Sequence, residues 1–167
     1  MLILETPRLL LRHLTADDID PLYKILSNPE TMSFWPAPLT QIQCHQWIEG
    51  AQKSYKQHGF GRCAVILKST GELIGDCGIA KSEVNKVLEN DLGYILDKNF
   101  WGQGLATEMA QALLHYGQNI LKLERIVINM PKDHSASKHV AEKLGLKLDQ
   151  EFKNVKNRHL PTLLFVT

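Results

Sequence analysis

Apolar residues recur along this chain with two periods, and the switches between them mark out its elements. Ile19, Leu22, Tyr23 and Leu26 repeat at helical spacing behind Thr15, which opens a capping box with Asp18; Asn28-Pro29 stops that helix. Cys44, Trp47, Ile48, Ala51 and Tyr55 form a second helical stripe, N-capped by Thr40 and ended by Gly59 and Gly61. Leu105, Met109, Ala112, Leu113 and Tyr116 share one face of a third helix over 105–119, and a fourth over 135–144 is closed by Gly145. Strands are expected over Ile3–His13, where Pro7 suits a sheet edge, and over a hairpin of Arg62–Lys68 and Leu73–Ala80. Further strands are expected over 91–97, 124–129, 147–152 and 159–166, with the polar stretch Lys81–Asn90 as a loop. The order β, α, α, β, β, β, α, β, α, β, β predicts an α+β fold: one domain over 1–167, with a mixed sheet covered by helices.

Composition narrows the functions open to such a domain. Basic and acidic residues number 19 and 18, for a net charge of +1. That balance argues against a nucleic-acid binder held by phosphate neutralisation. The apolar runs fall far short of the roughly 20 residues that span a bilayer, so no membrane partner is expected. MLILETPRLLLR carries no basic n-region and no small-residue cleavage site, so it does not read as a signal peptide. Cys44, Cys63 and Cys77 are odd in number and not at metal-ligand spacing; they read as free buried thiols in a reducing cytoplasm. The seven histidines lack zinc spacing, and no nucleophile elbow is present, so neither a metal site nor a hydrolase is expected.

The segment richest in chemistry runs from Asp91 to Glu108, where a strand enters the turn Trp101-Gly102-Gln103-Gly104 and the turn opens the long third helix. The first amides of a helix lack intrahelical acceptors and carry partial positive charge, which suits an anion. Glycines let the backbone approach a phosphate. A P-loop would need Gly-Lys-Ser/Thr, and the dinucleotide fingerprint would need a third glycine where Ala106 stands. By spacing alone, Gly-x-Gly is equally a plain strand-to-helix turn.

Four stretches decide the wider pattern. They are Glu5-Thr6-Pro7-Arg8-Leu9-Leu10-Leu11-Arg12, Asp91-Leu92-Gly93-Tyr94-Ile95-Leu96, Trp101-Gly102-Gln103-Gly104-Leu105-Ala106-Thr107-Glu108, and His134-Ser135-Ala136-Ser137 with Glu142-Lys143-Leu144-Gly145-Leu146. In that order they resemble the GNAT superfamily of N-acetyltransferases, and within it the RimJ/RimL-type branch that acetylates ribosomal-protein N-termini. The resemblance covers nearly the whole chain. Trp101 stands where the superfamily usually has Arg or Gln, His134 where it has Asn, and Ala141 where many relatives have a tyrosine acid.

The resemblance implies a splayed sheet holding acetyl-CoA between the strands at Asp91 and Glu124. It assigns the pantetheine to the backbone of Tyr94, Ile95 and Leu96, and the pyrophosphate to amides of Gly102, Gln103, Gly104, Leu105, Ala106 and Thr107. His134 and Ser137 would also touch the cofactor. By the same resemblance an amine would attack the thioester directly, through a tetrahedral intermediate whose oxyanion would meet a backbone N–H around Leu92–Tyr94. Asp91, and Glu89 on the loop before it, are the base candidates. Ser137 is a candidate donor to the departing sulfur. The acids read equally as solvated surface groups, and Ser137 as an ordinary first-turn serine. Met32, Phe34 and Trp35 would line the acceptor groove, although Trp35 also suits a core. The acceptor is expected to be a protein or peptide N-terminus, such as that of a ribosomal protein. The alternatives are a small amine such as a polyamine, amino acid or antibiotic, or a non-catalytic acyl-CoA-binding module. An acidic groove would favour polycations. The exposed final strands leave room for a homodimer as well as a monomer.

Overall fold

A computed structural model describes residues 1–167. Strands β1 (Leu2–Glu5), β2 (Leu9–His13), β3 (Arg62–Leu67), β4 (Glu72–Val84), β5 (Val87–Leu96), β6 (Val127–Pro131), β7 (Lys147–Asn154) and β8 (Leu160–Val166) form one sheet, ordered β1-β2-β3-β4-β5-β6-β8-β7. Helices α1 (Ile19–Leu26), α2 (Gln41–His58), α3 (Leu105–Asn119) and α4 (Ser135–Lys143) cover it. Every strand pair is antiparallel except β5 with β6.

The predicted helix signals act as expected. The Thr15 amide donates to Asp18 at 2.8 Å, and Arg12 grips the same carboxylate at 2.7 and 2.6 Å. Thr40 and Gln43 cap α2 reciprocally, at 2.8 and 3.3 Å. Gly59 and Gly145 take the left-handed conformation just past their helices, with φ of 79° and 78°.

Three strand expectations need correction. Ile3–His13 is two strands, because the chain reverses around Thr6–Arg8. Lys81–Asn90 is not a loop: β4 and β5 pair without interruption from Gly75↔Leu96 to Val84↔Val87. The turn is Asn85-Lys86, both at positive φ (47° and 67°), which suits the twist of a tight hairpin. The strand expected at Glu124 begins only at Val127.

Side-chain alternation along β5 sorts the core into two layers. Leu92 and Leu96 join α3 and α4 in a cluster of 21 buried residues, and Ile95 joins α1 and α2 in a cluster of 11 on the other face. The sheet separates where β5 meets β6. A single register pair, Asp91↔Val127, joins them, against ten between β4 and β5. Beyond Asp91 the two strands leave a seam through the sheet.

Candidate active site

The seam exposes main-chain groups in the middle of a sheet. The Asp97 amide donates to Ile74 on the β4 side. Alternation then turns the peptide groups of Leu92, Tyr94 and Leu96 toward β6. The Leu96 carbonyl is taken by the Trp101 indole N–H at 2.9 Å. Tyr94 keeps its backbone groups open on the seam, since β6 offers no register partner past Val127.

A cleft of about 510 Å³ occupies the seam and is lined from both faces of the sheet. On the α3/α4 side lie Tyr94, Ser137 and His134; on the α1/α2 side lie Asp91, Phe34 and Trp35. The Tyr94 hydroxyl and Ser137 Oγ are 3.0 Å apart, and Ser137 is only 7% exposed. Burial pushes the Tyr94 phenol up to about 12, so it stays protonated. The Phe34 ring stacks on His134 at 3.8 Å, tying the α1–α2 loop to the start of α4. Burial alone lowers His134 to about 4, so its imidazole is neutral near pH 7.

Asp91 is half-buried, with Oδ1 accepting from Asn129 Nδ2 at 3.0 Å. Burial raises it to about 6, helped by the Glu89 charge and opposed by Arg62 and the Asn129 hydrogen bond.

The glycine turn lies along the sheet from this cleft, at the start of α3. Gly102 and Gly104 have φ of 72° and 76°, which only glycine adopts readily. None of the amides from Gly102 to Thr107 donates to any group of the protein. A Cβ on Gly102 would meet open space. From the β1–β2 turn, Arg8 donates to the Gln103 carbonyl at 2.9 Å and to Glu108 at 2.7 Å, while Thr6 Oγ1 donates to Glu108 at 2.6 Å. Six free amides are therefore held in place from behind by side chains of the β1–β2 turn.

Residues 8–147 match the family described as "Acetyltransferase (GNAT) domain". The chain belongs to the GNAT acetyltransferase family. It is 31% identical to the uncharacterized protein YkkB of Bacillus subtilis, over 86% of this chain and 84% of that one. It is 30% identical to the ribosomal-protein-serine acetyltransferase of Escherichia coli, over 82% and 78%. An acetyltransferase structure from Agrobacterium tumefaciens superposes with a TM-score of 0.83 at 26% identity, covering 98% of this chain and 92% of that one. The relatives accord with the RimJ/RimL-like branch, and the family's acetyl donor is acetyl-CoA.

Within this GNAT fold, some of the expected site residues converge and others do not. Asp91, Tyr94, His134, Ser137, Phe34 and Trp35 line one cleft. Glu89 is no open base. It lies inside β5, 6% exposed, and Arg125 Nε donates to both of its oxygens at 3.1 Å. Met32 does not face the groove. It is 1% exposed and packs among α1 and α2, because the loop after α1 turns back on itself. Ile95 and Leu96 are buried; the peptide groups of Ile95 face β4, where it pairs with Asp76, and the Leu96 carbonyl is taken by Trp101, so of the three expected pantetheine residues only Tyr94 keeps both backbone groups open on the seam. Two features escaped the sequence reading. The Tyr94 side chain faces Ser137, a contact that joins residues 43 apart. Arg62 reaches the cleft from β3 and pairs with Asp76.

Proposed function

We propose that this acetyltransferase acts on the α-amino group of a protein or peptide N-terminus, a ribosomal-protein N-terminus being one such acceptor. The single observation that carries the reading is Asp91: a carboxylate in the cleft, at the edge of the seam, titrating near 6. A base of that strength suits an α-amine, whose pKa of about 7.7–8.0 leaves much of it neutral already, and suits a lysine-type amine of about 10.4 poorly. The likeness to a ribosomal-protein-serine acetyltransferase supports the same choice.

The chain's groups divide the work by face. The free amides from Gly102 to Thr107 hold the pyrophosphate of acetyl-CoA, and the open backbone of Tyr94 pairs with its pantetheine arm. Bound there, acetyl-CoA supplies a thioester already activated for transfer. Asp91, on the opposite face, accepts the amine's proton directly or through one water. Ser137 donates a hydrogen bond to the sulfur, and the protonated Tyr94 phenol backs the Ser137 hydroxyl. His134 positions Phe34 rather than exchanging protons, since it is stacked and neutral. The test is CoA release and product mass with N-terminal peptides beside lysine-type and polyamine acceptors. Faster turnover of α-amines supports the reading. Preference for ε-amines or polyamines overturns it, and acetyl-CoA binding without any product would point to a binding module.

A further inference from the structure

We propose that Arg62 recognises the acceptor: its outer guanidinium edge, laid over Gly93 on the α1/α2 face of the seam, binds a carboxylate carried a few bonds from the amine. The proposal rests on the N-acetyltransferase reading above and names the chemistry of its substrate.

Arg62 is fixed on three sides. Its Nε donates to Asp76 Oδ2 at 3.0 Å, and Nη2 donates to Asp76 Oδ1. Asp76 is fully buried, and its Oδ2 also accepts from the Trp47 indole at 3.0 Å. The guanidinium carbon stands 5.3 Å from the centre of the Trp47 ring. These contacts leave Nη1 with no acceptor in the protein, on a side chain that lines the cleft. A largely buried guanidinium with two idle donors is costly unless a ligand or water meets them.

Gly93 makes the arrangement possible. A Cβ there would lie 2.4 Å from Arg62 Nη1, so a larger residue would displace the guanidinium from the strand face. Asp91 and Gly93 are successive positions on one face of β5, about 6.6 Å apart at roughly 3.3 Å per residue. An amine at Asp91 and a carboxylate at Arg62 thus belong to one small structure: an α-amino acid, or a peptide start with an acidic side chain close to its amine.

The rest of the cleft agrees in sign. Lys86, Lys153 and Lys156 line it against two acids, Glu83 and Asp91. Glu83 is held by Lys156 at 2.8 Å, and Asp91 by Asn129. The acidic groove that a polyamine would require is not there.

The experiment compares kcat/KM for matched acceptors: serine against serinamide, and tetrapeptide amides that start with serine followed by aspartate or by asparagine. We expect the carboxylate member of at least one pair to be favoured about ten-fold or more, which is about 1.4 kcal/mol. The pair that shows it tells a free amino acid from an acidic peptide start. The double variant Arg62→Gln with Asp76→Asn keeps hydrogen bonding while removing both charges. It should bring the preference within about two-fold, with acetyl-CoA affinity unchanged by calorimetry. Equal rates for both members of each pair, or a preference that survives in the double variant, overturn the proposal and leave the transferase reading intact. No CoA release with any amine overturns both.

Discussion

At the scale of single residues, Asp91 and His134 respond to burial in opposite directions. Burial raises Asp91 from 3.8 to about 6 and lowers His134 from 6.5 to about 4. Folding therefore tightens the proton on Asp91. Its contribution to stability is full below 3.8 and is lost as pH rises through about 6. Folding loosens the proton on His134, whose contribution is full above 6.5 and is lost as pH falls toward 4. Between about 4 and 6 the two slopes oppose each other. Asp91→Asn should thus make the thermal midpoint climb more steeply with pH between 4 and 6.5 than in the parent protein. It should also cut turnover about 100-fold or more and erase the limb of the kcat/KM profile near pH 6. A variant that keeps both limb and rate would remove Asp91 from proton transfer. Ser137→Ala should lower kcat more than it weakens acetyl-CoA binding, with Tyr94→Phe a smaller effect in the same direction. Equal turnover in Ser137→Ala would exclude it from assisting the sulfur. That Asp91, Ser137 and His134 line one cleft was legible because motif order carried them. Glu89 and Met32 misled, because one charge partner lies 36 residues away at Arg125 and the loop's inward turn follows from packing against α1 and α2.

At the scale of elements, the glycine turn is a main-chain device supported by side chains from elsewhere. Gly104 has φ of 76°, so Gly104→Val both strains the backbone, by about 1–2 kcal/mol, and puts a side chain beside the free amides. We expect acetyl-CoA affinity to disappear in calorimetry while the melting temperature falls by only a few degrees, at about 2–4 °C per kcal/mol. Affinity equal to the parent's would show that the pyrophosphate sits elsewhere. Helices were legible from stripes and caps alone, because their signals are local: Thr40 with Gln43, or Gly145 after α4. The β4–β5 hairpin was not. Its turn, Asn85-Lys86, has no glycine, and Lys81, Ser82, Glu83, Glu89 and Asn90 put polar residues on both faces of its arms, so no apolar alternation shows. The β1–β2 reversal was hidden likewise, because Thr6 and Arg8 find their partner 100 or more residues away in Glu108.

At the scale of the whole molecule, the sheet is two panels that meet at one backbone bridge. β1 to β5 form one, and β6, β8 and β7 the other. The α3 helix joins them in sequence, and the larger core cluster runs under both. Hydrophobic patterning shows each panel's strands, whereas the break was expected only through the family resemblance, since nothing in the composition of β6 says how far it runs beside β5. A ligand that binds only the folded state at 100 times its dissociation constant stabilises by about 2.7 kcal/mol. Saturating CoA should therefore raise the melting temperature by roughly 5–10 °C. In hydrogen exchange, protection should grow most at the Tyr94 amide. If protection rose only in α3, the arm of CoA would not lie in the seam.

The panels meet like pages at a torn spine. If CoA seats in the seam as proposed, a small molecule supplies the rungs the polypeptide omits beyond the single bridge at Asp91 and Val127. A sheet finished by its own substrate would then be stiffer when charged than when spent, with the difference concentrated on either side of that one bridge.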